Sequence, residues 1–195
     1  MKLFSILIKQ LRFNFFLKKR FFFCGKNVSV DLPFEITNER FISLGKDVKI
    51  GKDCWILCPD QYSELQAPVI IIEDGVNIGR RVVISGVKRI HIHKNCLFAP
   101  QVYIADHFHK YTDINSPIKD QGITKVEEVE IGEGTWIGIN ACILPGCKIG
   151  KQCVIGANSV VTKSFPDYSV IGGNPARVIK QYSNKTKSWE KVKNE

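Results

Sequence analysis

The sequence predicts an all-β fold, a three-sided parallel β-helix, on three observations. Aliphatic residues recur every six positions over long stretches. Gly and Asn fall beside them, where a chain must turn. One segment of more than twenty residues, opening on IADHFHKYTD, breaks the beat and carries two of the chain's four histidines.

The beat is clearest from residue 131, where the chain reads IGEGTW, IGINAC, ILPGCK, IGKQCV, IGANSV, VTKSFP. Ile131, Ile137, Ile143, Ile149, Ile155 and Val161 open these hexads. Ile72, Ile78, Ile84 and Ile90 keep the same interval upstream. The phase then slips by two, and Ile92, Phe98 and Ile104 resume it; Ile50 and Ile56 mark an earlier coil. A period of six matches neither a 3.6-residue helix nor a two-residue strand alternation. It fits a short strand, a tight turn and a second strand rotated onto another face. Three hexads then close one triangular coil, and each opening aliphatic points inward above its equivalent. With coils about 4.8 Å apart, roughly five of them make a prism about 24 Å tall. The expected layout is an N-terminal extension and entry over 1–45, the coil over 46–175 with an excursion loop at 106–129, and a tail or short helix over 176–195.

The N-terminal run MKLFSILIKQLRFNFFLKKRFFF is apolar but broken by Lys9, Arg12 and the cluster Lys18, Lys19 and Arg20. No stretch approaches the ~20 residues needed to span a bilayer, and no small-residue cleavage site follows. Leu3, Leu7, Leu11 and Phe15 recur at four, as on one stripe of a helix. Two readings stay open, a helix packed on the body and a basic, aromatic segment lying on a membrane surface. The formal net charge of +9 is compatible with a solvated basic face, an anionic membrane or a phosphorylated ligand. No nucleic-acid module accompanies it. Seven cysteines, an odd number without a CxxC, point away from disulfides and metal. Cys147 and Cys153 fall at the small-residue place of their hexads, so they read as buried packing groups in a reducing cytosol.

The hexads, followed by GANSVVTKSFPDYSVIGGNPARVIK at 156–180, resemble the hexapeptide-repeat acyltransferases. The nearest subgroup is that of maltose and galactoside O-acetyltransferases and their relatives in surface-polysaccharide assembly. The resemblance spans about residues 46–180 and implies a left-handed coil, a homotrimer with active sites between subunits, and acetyl-CoA as donor, with no metal required. It implies a saccharide acceptor, free or nucleotide- or lipid-linked, and a cytoplasmic enzyme, at the inner membrane face if the N-terminus binds there.

The interruption between Ile104 and Ile131 is where such a compact repeat carries function. It holds Asp106, His107 and His109. The resemblance makes His107 the catalytic base, with His109 as its rival. An imidazole with an ordinary pKa near ~6.5 can take a proton from an attacking hydroxyl and return it to a leaving thiolate. Neighbours on an extended strand point to opposite sides, so Asp106 is expected to shape the loop or to bind acceptor hydroxyls together with His109. The resemblance also assigns the backbone N–H of Ile139, in TWIGIN, to the oxyanion. Trp136 reads either as an acceptor or cofactor wall or as corner packing. Donor contacts are implied at Ala157, Thr162, Lys163, Arg177 and Lys180; the plain alternative for the cations is a solvated basic tail.

Three other functions compete. An N-acetyltransferase acting on an amino sugar or amino acid would share the base and the groove. A non-catalytic β-helix scaffold would need neither. A zinc enzyme of the carbonic-anhydrase kind needs three converging imidazoles, and the pairs His91/His93 and His107/His109 are spaced too closely for the pattern that family shows.

Overall fold

The computed structural model describes residues 18–59 and 68–192. The helical stripe expected from Leu3 to Phe15 lies outside them. Among the described residues no helix is long and apolar enough to cross a membrane.

The chain winds as a parallel β-helix with three faces. Strands Phe23–Cys24, Ile42–Leu44, Ile70–Ile72, Ile90–Ile92, Val129–Ile131 and Lys148–Ile149 stack in the first face. The second face runs through Ser29–Val30, Lys49–Ile50, Asn77–Ile78, Leu97–Phe98, Trp136–Ile137, Val154–Ile155 and Ser169–Gly173. The third holds Glu35–Thr37, Trp55–Leu57, Val83–Ser85, Tyr103–Ala105, Cys142–Ile143 and Val160–Val161. The hexad openers form vertical columns in register, such as Ile56, Ile84, Ile104, Ile143 and Val161 in the third face. All five are fully buried. Removing such side chains from water is the main force holding the coils together.

The coil starts at Phe23, well before the residue-46 boundary of the sequence reading. Its first turns keep the interval of six through Cys24, Val30, Ile36 and Ile42, but a 3-10 turn at Glu39–Phe41 lengthens one corner and shifts the phase by two before Leu44, Ile50 and Ile56. Each face therefore carries six or more stacked strands, rather than the five coils expected.

Corner residues explain the composition of the hexads. Asn95, Asn140 and Asn158 adopt left-handed φ of 59°, 59° and 58°, a region asparagine tolerates better than branched residues. Gly138 is required by closeness instead: a Cβ there would stand 2.7 Å from the Ala157 backbone nitrogen one coil on. The buried cysteines fill corner interiors. Cys54, Cys96 and Cys153 donate to the carbonyls of Gly79, Gly132 and Pro166 at 3.1–3.2 Å. All seven cysteines are free thiols.

The C-terminal segment is neither helix nor loose tail. Ala176–Ser183 folds back antiparallel on Ser169–Gly173, and Ser188–Lys191 pairs in turn with Ala176–Ser183. Tyr182 and Trp189 meet across this last pair, with ring centroids 5.5 Å apart in an edge-on arrangement, a cross-strand contact that favours sheet over helix.

Candidate active site

The beat stops at the third strand of the fourth coil. Tyr103–Ala105 is extended, and the chain then bends at Asp106. It runs out through Phe108–His109, which pairs antiparallel with Ile123–Thr124, and re-enters the prism at Val129. The excursion is thus a small hairpin standing at the corner between the third and first faces.

The bend overrides strand alternation and brings neighbouring side chains together. The Nδ1 of His107 lies 2.9 Å from Asp106 Oδ1. Asp106 is fully buried. Its carboxylate also accepts the backbone N–H groups of Val87, Lys88 and Arg89, with shortest distances of 3.0, 2.7 and 2.9 Å. A buried carboxylate held by three amides and a ring is fully occupied, so the acceptor-binding role expected of Asp106 gives way to fixing the imidazole. Because a carboxylate only accepts, Nδ1 must carry the ring proton, which leaves Nε2 with the lone pair.

The cradle has a signal in the sequence. The phase slip between Ile84 and Ile92 is the corner Gly86–Arg89, which supplies those amides.

His107 opens on a cleft of about 440 Å³. One wall is the outer surface of the third face, with Trp55, Leu57, Val83, Ser85 and Tyr103. The other is the hairpin, with Phe108, His109 and Ile123. Trp55 and Tyr103 were missed in the sequence. Each directly precedes an inward isoleucine of its rung, so each points outward over the same face. Burial against these neighbours raises the Tyr103 phenol above its ordinary value. His109 is exposed on the hairpin and lines the cleft.

The remaining expected residues do not join this cleft within one chain. Ile139 sits in the corner between the second and third faces, at the opposite edge of the third face from His107. The Gly138 N–H bonds to Ile155 O at 2.8 Å, whereas the Ile139 N–H makes no hydrogen bond among the described residues. Ala157 lies beneath it, where Asn158 N–H donates to Ile139 O at 2.9 Å. Arg177 pairs with Gly172 at the end of the last second-face rung, and Lys180 pairs with Val170. Thr162 and Lys163 are exposed at the third-to-first corner, two coils on from His107. Trp136 stands outward on the second face, half exposed and in register with Leu97 and Val154.

A second constellation lies on the first face. Among the described residues Glu73, His91 and His93 bring one potential ligand atom each within 4.8 Å of one another. The close spacing of His91 and His93, weighed above against a zinc enzyme, acquires a third member only because Glu73 sits one coil away.

The three-faced winding and its hexads define a class. Residues 128–163 match the family model Bacterial transferase hexapeptide (six repeats), and the chain belongs to this family of left-handed parallel β-helices. Its particular likeness includes the Escherichia coli (strain K12) protein named "Putative lipopolysaccharide biosynthesis O-acetyl transferase WbbJ", 40% identical over 169 residues that cover 84% of this chain and 83% of that one. It is 45% identical over 168 residues to the Mycobacterium tuberculosis protein named "Probable acetyltransferase Rv3034c", covering 86% of this chain. This chain spans about half (51%) of that relative's length. Among solved structures, a maltose O-acetyltransferase from Clostridium difficile 630 matches at a TM-score of 0.54 and 30% identity, over 85% of this chain and 72% of that one. AntD, an N-acyltransferase from Bacillus cereus solved with dTDP and 3-hydroxybutyryl-CoA, matches at a TM-score of 0.71 over 87% of each chain. At 22% identity that second likeness speaks for the fold alone.

Proposed function

We propose that this chain is a coenzyme A-dependent O-acetyltransferase acting on a saccharide hydroxyl in surface-polysaccharide synthesis, in the cytoplasm, with His107 as general base. The single observation that carries the reading is the buried Asp106 carboxylate fixing the His107 ring at the mouth of an aromatic-lined cleft. Relatives named as acetyltransferases, WbbJ among them, support the donor and the acceptor class.

The acceptor hydroxyl loses its proton to His107 Nε2 as its oxygen attacks the acetyl-CoA carbonyl carbon. The developing imidazolium is stabilised by Asp106. The tetrahedral oxyanion accepts a hydrogen bond from a backbone N–H, assigned to Ile139. Collapse breaks the C–S bond, forms the ester and returns the proton to the coenzyme A sulfur. Trp55 and Tyr103 offer flat apolar surfaces to a sugar ring. Ala157, Thr162 and Lys163 would line the pantetheine arm, and Arg177 and Lys180 would meet phosphates.

His107 and Ile139 lie at opposite edges of the third face, so one chain does not close this site alone. A homotrimer that sets the third face of one subunit beside a corner of the next would close it. The basic, aromatic N-terminal run, with Lys9 and Arg12, would add peripheral contact with the inner membrane surface.

The test is an acceptor screen with acetyl-CoA that detects the released thiol and weighs the product. An alkali-labile ester on a sugar is expected. An alkali-stable amide formed only on amino sugars would replace the reading with N-acetylation, and absence of any thiol release across both acceptor types would reject it. His107→Ala should lower kcat by roughly 10²–10⁴ while leaving the acetyl-CoA Kd nearly unchanged; unaltered turnover would reject the base assignment.

A further inference from the structure

On the first face, away from the His107 cleft, the strand Ile90–Ile92 carries His91, and His93 follows directly after its end, so two imidazoles stand two residues apart. In a single flat strand His91 and His93 would share one side and gain nothing further. The coil adds carboxylates from both neighbouring rungs. Glu73 follows Ile72 at the level of His93, one coil before. Glu130 lies directly opposite His91, one coil after.

The contacts divide into two kinds. Glu73 Oε1 stands 2.8 Å from His91 Nε2 and 3.3 Å from His93 Nδ1. Three donors thus face a common point, all within 4.8 Å of one another. In a tetrahedral zinc site with bonds of about 2.0–2.1 Å, ligand atoms are separated by about 3.3 Å. Glu130 does something different. Its Oε1 lies 2.8 Å from the other nitrogen of the same ring, His93 Nε2. That is the arrangement of a carboxylate that holds a metal-binding histidine from behind. It fixes the Nδ1 lone pair of His93 towards Glu73 and His91.

We propose that Glu73, His91 and His93 form a three-donor site for a divalent transition-metal ion of the zinc type, with Glu130 as the positioning residue. Two imidazoles and one carboxylate select zinc, cobalt or nickel over magnesium and calcium, which prefer all-oxygen shells. The side chains of the three donors are only 17–29% exposed, so they are held in place yet reachable from solvent. A bound ion would join the third and fourth coils, and through Glu130 it would extend to the fifth, across the place where the chain leaves for its excursion. The site is a clamp on the coil and takes no part in the acetyl-transfer step. It stands or falls independently of that reaction.

The test uses chelator-stripped full-length protein titrated with Co²⁺, read by visible d–d absorption, then with Zn²⁺ by calorimetry. The wild-type chain should take one ion with an intense tetrahedral-type cobalt spectrum and gain thermal stability in excess zinc. Glu73→Gln and His91→Ala should each lose the spectrum and the stability gain. The glutamine is close to isosteric, so it keeps the test valid if His91→Ala fails to fold. Glu130→Gln should retain the spectrum but bind 10–100-fold more weakly. His107→Ala should bind as the wild type does. The proposal is overturned if no cobalt spectrum forms at millimolar metal, if Glu73→Gln binds undiminished, or if His107→Ala abolishes binding.

Discussion

Asp106 and His107 depend on hydrogen bonds that leave little freedom. Asp106 Oδ2 faces the Lys88 and Arg89 amides at 2.7 and 2.9 Å, while Oδ1 faces the ring. An asparagine here must keep its carbonyl oxygen on the amides, so its NH₂ turns to His107 and donates to Nδ1. That forces the proton onto Nε2, the wrong tautomer for a base. Asp106→Asn should therefore cut kcat by roughly 10²–10⁴ with little change in acceptor KM, while destabilising the fold by only about 1–3 kcal/mol. Steady-state kinetics beside urea denaturation would check the split, and loss of stability without loss of kcat would contradict it. Burial acts on the corner thiols in the opposite sense to activation. It pushes Cys96 up to about 11 from an ordinary 9.0. The folded state thus prefers the protonated thiol. The stabilisation is complete below pH 9 and is lost as pH rises through 11. Cys96→Ser keeps a donor for Gly132 without titrating, so it should lose less stability than the wild type between pH 8 and 11, by about 2–3 kcal/mol at most. Parallel urea titrations at the two pH values would measure it.

The unit of this fold is the rung, and its energy lies in the columns. Ile104 is fully buried between Ile84 and Ile143. It also anchors the strand from which Asp106 and His107 project. Ile104→Ala should cost about 2–5 kcal/mol in chemical denaturation, because the rungs above and below cannot collapse into the gap. A loss under 1 kcal/mol would mean that the column is not rigid. These columns were legible in the sequence because the six-residue beat and the inward register are one pattern. The first coils were harder to read. They keep the beat at Cys24, Val30, Ile36 and Ile42, but the 3-10 turn between the rungs Glu35–Thr37 and Ile42–Leu44 shifts its phase by two, so it does not run on into Ile50 and Ile56. The C-terminal hairpin was missed for a different reason. Its pairing is with the last rung, and the cross-strand contact of Tyr182 with Trp189 has no local periodicity to announce it.

At the scale of the whole molecule the question is which surfaces meet. The proposed assembly predicts sedimentation at three times the 22.1 kDa chain mass. It also predicts complementation. His107→Ala lacks the base, and Ala157→Trp blocks the donor corner at the other edge of the third face. Each should be inactive alone, and the two unfolded and refolded together should regain part of the activity, since some seams would join an intact His107 to an intact Ala157. No recovery in mixtures shown to form mixed oligomers would place the whole site within one chain.

The sequence by itself determined the three-faced coil, the burial of its hexad-opening aliphatic residues and of Cys147 and Cys153, and the position of the excursion that carries His107. Each is written in spacing, and spacing is a local property of the chain. Only the tertiary structure decided that Asp106 turns inward to hold the ring, that Trp55 and Tyr103 form one wall, and that Glu73 and Glu130 bracket His91 and His93. Those contacts join residues 17 to 48 positions apart or depend on a bend at a single residue. Coiling sets such residues one above another, and no count along the chain reveals which side chains then face the same point.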